Sequence, residues 1–486
     1  MYRSRLDKNL DKHTLDYVSS ISDDSEIAIY DIVGSQAHSI MLYENKILNR
    51  TEVKKILIAL EKLKKEKFTT ASSAEDIHEL IETMVIKKTG LEIGGKMHTA
   101  RSRNDQVALD LRMKIRDDIN TICGCILDMV QTLVLLAEKH TTTAMPLYTH
   151  LQQAQIGTFS HFLISYADAL LRDFERFYDT FERVNHSPLG AGPVGGTSLP
   201  INRNSTAKML GFFDVVENSI DATSNRDVVA EYVGNVAILM TNLSRIAEDL
   251  VIWSTSEFSF VELSDQFSSP SSVMPQKKNP DILELTRGKT ARVIGNLVAI
   301  LSNLKGLASG YGRDLQEIKP SVFLSSRTAI SALVVLNSMF ATLKVNKQKM
   351  NKIADSGYLA SLDIAEALVK EGLPFRTAHK IVGKLVQIAH ESGISLSELT
   401  ASEVASSVGA KEFDSKKLGK IIQSINAESS LKNRSSLGSA GIAEQKRLVV
   451  KRKSKIRQYE NNVAKRNTMI SSALQKLSAK VQVLSK

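Results

Sequence analysis

Between Asp105 and His140 the apolar positions advance three or four residues at a time, through Leu111, Ile115, Ile119, Ile122, Ile126, Met129, Leu133 and Leu136, with no proline among them. This is one face of a helix, of coiled-coil type, and such a stretch would run about 54 Å. A second stripe passes from Phe159 through Leu163, Tyr166, Leu170, Phe174, Phe177 and Phe181 to Val184. A third passes from Val229 through Tyr232, Val236, Leu239, Leu243, Ile246 and Leu250 to Trp253. Apolar segments over 282–307 and 322–343 bring the expected count to five long helices, which predicts a bundle. Alternating strand patterns are scarce, so the fold class expected is all-α. A mixed helical N-terminal domain (1–100) and a small helical C-terminal domain (353–486) are expected to bracket a central five-helix bundle (101–352). The second boundary follows the charged run 344–352 and precedes Gly357, Gly372 and Pro374. Long helices striped on more than one face are hard to bury in a monomer, so a homo-oligomer is expected on physical grounds.

Composition narrows the class. The 486 residues hold 25 glycines and 9 prolines, well below the roughly 12% of average chains, which excludes collagen-like and loop-dominated folds. A hydrophobic fraction of 43% is enough for a large core. The two cysteines, Cys123 and Cys125, would point about 200° apart on a helix and cannot bridge locally, which fits a reducing compartment. No apolar leader follows Met1, and the uncharged stretch 328–343 is short for a membrane span. A soluble, cytoplasmic protein is expected, with no membrane partner. Much of the net charge of +10 gathers between Lys446 and Arg466. A basic run there suits either nucleic acid or the solvated face of a helix. With no interleaved aromatic residues the second reading is preferred, and no nucleic-acid partner is expected.

Three polar segments interrupt the helical pattern at its junctions. His98-Thr99-Ala100-Arg101-Ser102-Arg103-Asn104-Asp105-Gln106 precedes the longest stripe; Ser, Asn and Asp suit an N-cap, and a helix N-terminus beside two arginines suits a carboxylate. Capping accounts for Asn104 or Asp105 but not for the density of donors. Tyr148-Thr149-His150-Leu151-Gln152 lies between two stripes, where His150 is either a hydrogen-bonded structural residue or an acid or base. No second His or Cys stands at ligand spacing, so no metal is implied. The densest segment runs from Ser268 to Asp281, with Ser271, Ser272, Lys277, Lys278 and Asn279 held between Pro270, Pro275 and Pro280, just before Glu284. Lysine and amide donors fixed in this way suit an enolate-like dianion that forms in the transition state. A weaker cluster spans Gly310 to Lys319. Together these point to acid–base chemistry on a small anionic substrate.

The Ser268–Asp281 segment resembles the signature loop of the fumarase/aspartase superfamily. Its Met-Pro-Gln-Lys-Lys-Asn-Pro run resembles the version found in the argininosuccinate lyase family, as do Arg101-Ser102-Arg103-Asn104-Asp105-Gln106, Tyr148-Thr149-His150-Leu151-Gln152, the 218–222 and 310–319 segments, and Pro374-Phe375-Arg376-Thr377-Ala378-His379. The resemblance covers nearly the whole chain. It implies a cofactor-free anti β-elimination of argininosuccinate to arginine and fumarate, in arginine biosynthesis. It further implies an all-α three-domain subunit whose bundles form the core of a homotetramer, with each site shared among subunits. By resemblance Ser271 matches the catalytic base, Lys277 and Asn279 the groups holding the carboxylate that gains charge, and His150 with Glu284 a pair that either protonates the leaving nitrogen or orients substrate and water. Ser102, Arg103, Asn104 and Thr149 match positions that bind the succinyl and nearby carboxylates; Tyr311, Gln316 and Lys319 match those that grip the arginine moiety. The family usually has Gly at positions 147 and 270, where Leu147 and Pro270 stand here, and often Pro at the position of Ile156. Its usual aromatic-Gly-Gly opening is replaced by Tyr2-Arg3-Ser4-Arg5-Leu6. The rival readings are a related fumarate-releasing lyase for another N-succinyl compound and a crystallin-like structural protein.

Overall fold

The long stripes become long helices because burying one apolar face stabilises a helix far more than intrinsic propensity does. The computed structural model describes residues 10–66, 68, 74–408 and 413–486; the Tyr2–Leu6 opening lies outside them. Three helices of the N-terminal part, α1 (Ala28–Glu44), α2 (Arg50–Leu63) and α3 (Ile77–Thr89), lead into α4 (Arg103–Lys139), α5 (Phe159–Val184), α6 (Asp227–Trp253), α7 (Asp281–Leu304) and α8 (Ile318–Ala341). These last five are the expected bundle, each beginning within about four residues of where its stripe predicts. A final helix, α9 (Ile442–Ser485), is the longest at 44 residues.

An N-cap is expected before α4, with Asn104 or Asp105 as residues that capping would explain; the residue that takes the position is Ser102. Its Oγ accepts from the Asn104 N–H at 3.3 Å, and Asp105 Oδ1 accepts in return from the Ser102 N–H at 3.0 Å, a reciprocal capping box. A polar ladder registers α5 against antiparallel α6. Tyr166 donates to Asp249 at 2.6 Å, Asn242 to Asp173 at 2.7 Å and Asn235 to Thr180 at 2.8 Å. The partners step by seven residues on each helix, so a slip of one turn would unpair every rung. Burial pushes the Asp173 carboxyl up to about 6; the Asn242 rung satisfies one of its oxygens and Arg176, at 2.7 Å, the other.

One continuous core joins α1–α3, the five bundle helices and α9, with Phe174, Phe177, Phe181, Phe323 and Phe340 among its fully buried members. The segment expected as one C-terminal unit, 353–486, therefore contributes to separate cores. Residues 364–422 build a small core of their own, whereas α9 runs back along α4 and α2. Sequence distance hides this return, because the apolar positions of α9 (Leu448, Ile456, Val463, Ile470, Leu477 and Val481) match a groove made elsewhere. Acids on α4 and α5 also meet its basic residues: Lys453 donates to Glu138, Arg452 to Asp168 and Lys455 to Glu175. Arg466 is buried with its guanidinium 3.9 Å over the Phe181 ring and 4.8 Å over Tyr178. The stretches Arg103–Lys139 and Arg313–Ala341 are each long and apolar enough to cross a membrane by length and composition. About half of each apolar window is buried within the bundle, which accounts for its composition.

The element not expected is a β-hairpin, β1 (Ala144–Thr149) with β2 (Gln152–Thr158), between α4 and α5. Its two turn residues, His150 and Leu151, both have left-handed φ, 55° and 57°. Hairpin turns of that hand usually advertise themselves as Asn-Gly or Asp-Gly, a signal this segment lacks. Two departures from the family pattern fit together here. The Leu147 side chain lies over Gly157, where a Cβ would stand 2.5 Å from Leu147 Cγ, so the missing glycine of one strand is supplied by the other. Ile156 is buried in a third small core with Leu359, Ala427 and Leu431, and its carbonyl accepts from Arg434 at 2.6 Å.

Asn242→Ala removes the donor to Oδ2 of Asp173, a buried carboxylate whose Oδ1 is held by Arg176 at 2.7 Å, and should cost about 1–3 kcal/mol of stability. Thermal unfolding at neutral pH checks this, with the exposed Asn461→Ala as the control expected to leave the midpoint unchanged.

Candidate active site

At the hairpin end of the bundle, strand β4 (Ser269–Pro270) pairs with β5 (Lys278–Asn279), preceded by β3 (Val261–Glu262), which pairs with β6 (Lys344–Val345). Residues 271–277 thus leave and rejoin a two-residue ladder, and Pro270 sits in that ladder opposite Lys278. The half-buried Ser271 turns the loop back on itself, its Oγ accepting from the N–H groups of Val273 at 3.3 Å and Met274 at 3.0 Å. Hydrogen bonds to the charged form favour it, so two amides on one hydroxyl oxygen favour an alkoxide there. The adjacent lysines differ. Lys278 is tied to Asp265 at 2.8 Å and Glu262 at 3.1 Å, contacts that raise its pKa, Asp265 foremost, and fasten the ladder to β3. Lys277 is exposed and has no ionic partner among the described residues. Asn279 is half-buried, and Glu284 is exposed in the first turn of α7.

Thr149 and His150 share this end, exposed at the hairpin tip. The Tyr148 ring meets Phe258 edge-on at 6.0 Å, and Phe258 meets Phe260, next to β3, at 5.6 Å. The His150–Glu284 pair implied by resemblance does not form within one chain. The hairpin is held at its base, by the core under Ile156 and by Arg434.

The other segments collect at the opposite end. Asn104 donates Nδ2–H to the Pro193 carbonyl at 3.0 Å. The fully buried Asp105 ties the same loop down, Oδ2 accepting from the N–H groups of Gly190 and Gly192 at 2.9 Å each. Those glycines have φ of +84° and +65°, a conformation other residues resist. Arg103 Nε lies 3.2 Å from Asp76 Oδ2, and the half-buried Tyr311 senses the charges of Arg226, Asp76, Arg313 and Arg103 from one place. Gln316 donates to the Val18 carbonyl at 3.1 Å. Lys319 is 3% exposed, donates to Ser20 Oγ at 3.1 Å and pairs with the buried Asp24, so its charge is already matched inside the chain. Asp24, Asp76 and Arg226 are the residues that sequence reasoning did not single out at this end, and Asp105 enters that reasoning only as a capping residue. Only Asp76, the N-cap of α3, and Asp105, beside the N-cap of α4, carry a local signal.

The two groups are separated by the length of the helices between them. The 24 residues of α7 span about 36 Å and the 37 of α4 about 55 Å. One chain therefore holds these residues in two separate clusters, Ser271, Lys277 and Lys278 at one end and the Ser102–Asp105 turn with Tyr311 at the other. Among the described residues, His and carboxylate atoms converge at Asp31, His78 and Asp110. Gln106 directs an N–H at Asp31, and the Arg101 guanidinium acts on both carboxylates, so a fixed cation already offsets their charge.

Comparison with known proteins agrees along the whole chain. A lyase family model matches residues 4–295, and a model described as argininosuccinate lyase C-terminal matches 358–432. The argininosuccinate lyase of Nitrosopumilus maritimus is 63% identical over 481 residues, 99% of each chain. That of Geobacillus thermodenitrificans is 42% identical, over 94% of this chain and 99% of its own. Among solved structures, EDDS lyase in complex with formate superimposes with a TM-score of 0.86 at 28% identity, covering 97% of this chain and 94% of its own. A class II fumarase from Schistosoma mansoni, at 14% identity and a TM-score of 0.74, shares the fold.

Burial raises the Asp105 carboxyl to about 6. Above that pH it is an ionised acceptor for three N–H groups; below it a proton occupies one oxygen and the clamp weakens. Amide protection at Gly190 and Gly192 is expected to fall as pH drops through about 6, and to be low at every pH in Asp105→Asn, whose amide turns a donor toward donors. Hydrogen-exchange mass spectrometry over 188–196 reads both.

Proposed function

The chain belongs to the argininosuccinate lyase family and is a carbon–nitrogen lyase; from that premise we propose that it splits argininosuccinate into arginine and fumarate by anti β-elimination without a cofactor. The observation that carries the chemistry is the Ser271 turn. A serine is a poor base unless its alkoxide is stabilised, and here two backbone N–H groups converge on its oxygen, with Lys277, which has no ionic partner among the described residues, on the same loop.

As alkoxide, Ser271 takes a proton from the succinyl Cβ. The electron pair moves into the adjoining carboxylate to give an aci-carboxylate dianion, which Lys277 and Asn279 stabilise as its charge grows. The dianion collapses to the carbon–carbon double bond of fumarate as the Cα–N bond breaks, and the guanidino nitrogen departs with a proton. His150 and Glu284 are assigned to that departing side. Ser102, Arg103, Asn104 and Thr149 hold the carboxylates, and Tyr311, Gln316 and Lys319 the arginine moiety. For Lys319 the role is indirect, through Ser20 and Asp24, since its own charge is matched.

The separation of the two half-sites supports a homotetramer in which different chains complete each site. An unburied apolar face on α7 supports it too: Leu285, Ile294, Val298 and Leu301 are each 44–58% exposed, a surface suited to another copy of the same helix.

Fumarate release from argininosuccinate, followed by ultraviolet absorbance, tests the reading. Ser271→Ala should lower kcat by about a thousandfold with KM little changed, and Lys277→Ala by about a hundredfold. Lys278→Ala should cost less than about tenfold, since that residue braces the ladder. Full activity in Ser271→Ala would move the base elsewhere. An inactive but assembled wild-type enzyme would favour a different N-succinyl substrate.

A further inference from the structure

Behind the Arg103 end lies a buried polar group that the elimination itself does not use. Asp31 on α1, His78 on α3 and Asp110 on α4 are each at most 1% exposed and meet where the three helices cross. His78 Nδ1 stands 3.2 Å from Asp31 Oδ1 and 3.3 Å from Asp110 Oδ2. The hydrogen bond is to Asp31; among the described residues Asp31 Oδ2, His78 Nε2 and both oxygens of Asp110 have no hydrogen-bond partner, so Nδ1 is the atom through which the ring acts.

The group connects to the substrate turn by a closed path. Gln106 donates Nε2–H to Asp31 Oδ1, and its Oε1 accepts from Arg103 Nη1 at 3.1 Å. Arg103 Nε reaches Asp76 Oδ2 at 3.2 Å, and Asp76 caps α3 by accepting the Glu79 N–H at 2.7 Å, two residues from His78. An amide has one donating and one accepting side. Gln106 therefore presents its oxygen to Arg103 only while Asp31 accepts from its nitrogen. Asp31 is held below its usual carboxylate range despite its burial, by His78 and by Arg101. Asp110 is pushed well above that range by burial and by Asp31. The opposite directions make Asp31 the stronger acceptor of the two, and the contacts from His78, Arg101 and Gln106 all favour its charged form.

We propose that His78 is a positioning residue for substrate binding: by holding Asp31 through Nδ1, with Asp110 close by, it orients Gln106, and through Gln106 the guanidinium of Arg103 that receives a substrate carboxylate. The proposal rests on Arg103 binding substrate, as in the reading above. An interaction made equally in ground and transition states sets KM rather than kcat.

Kinetics of fumarate release by the assembled enzyme test it with three variants. Asparagine places an N–H near the position of Nδ1, glutamine near that of Nε2, and alanine provides neither. His78→Ala and His78→Gln should raise KM for argininosuccinate about tenfold or more with kcat within about threefold, while His78→Asn stays within about threefold of wild type in both. Gln106→Ala, which cuts the link without opening the buried acids, should reproduce the KM increase and stands in if His78→Ala fails to fold. An unchanged KM in Gln106→Ala, or equal effects of asparagine and glutamine, would overturn the proposal. Wild-type enzyme inactive on argininosuccinate would overturn the substrate reading and this proposal with it. Active wild type with an unmoved KM in the variants would overturn the proposal alone.

Discussion

A long α-helix has one length per residue, and everything else about this molecule follows from that rigidity. Its backbone hydrogen bonds close within each helix, so α4 and α7 hold their two ends a fixed 36–55 Å apart, about 1.5 Å per residue. Chemistry-bearing residues cannot sit on the stripes, which are spent on the core, and so they collect in the junctions. The Ser271 loop and hairpin form one end; the Ser102–Asn104 turn, Tyr311 and the segment near Asp24 form the other. Completeness of the site and burial of the exposed α7 face then become one problem, and the proposed assembly of copies is a common answer to both.

What was legible in the residues follows the range of the interaction that encodes it. The bundle could be read because a 3.6-residue period is local, and the Ser268–Asp281 loop because its donors are contiguous. The N-cap at Ser102 and the two adjacent lysines belong to the same class. The hairpin escaped because its left-handed turn uses His150 and Leu151, with neither glycine nor asparagine to mark it. The return of α9 into the main core escaped because its partners lie some 300 residues earlier, as Arg452 to Asp168 illustrates. Lys319 could be placed at the arginine end by resemblance, but its ion pair with Asp24 spans most of the chain. No pattern near either residue announces it.

Charge is managed in the same way throughout: locally conspicuous, globally matched. The basic run of α9 meets acids on α4 and α5. Arg466, with no ion pair among the described residues, lies on two aromatic faces, which costs less than leaving a cation bare in the core. Asp173, Asp105 and Asp110 are all pushed upward by burial, and the first two keep their charge usable through directed N–H donors. The polar ladder between α5 and α6 uses similar groups for register, holding the junctions of those helices at matching heights.

The hairpin tip carries a further consequence. Two non-glycine residues in left-handed backbone conformation store about 1–3 kcal/mol each, and Leu151 beside His150 is 74% exposed, so a lone chain has little with which to hold that shape. If a neighbouring copy supplies the contact, the histidine is correctly presented only in the assembled state, and activity per chain becomes a function of how many chains are present. Dilution would then act as an inhibitor, by mass action rather than by competition.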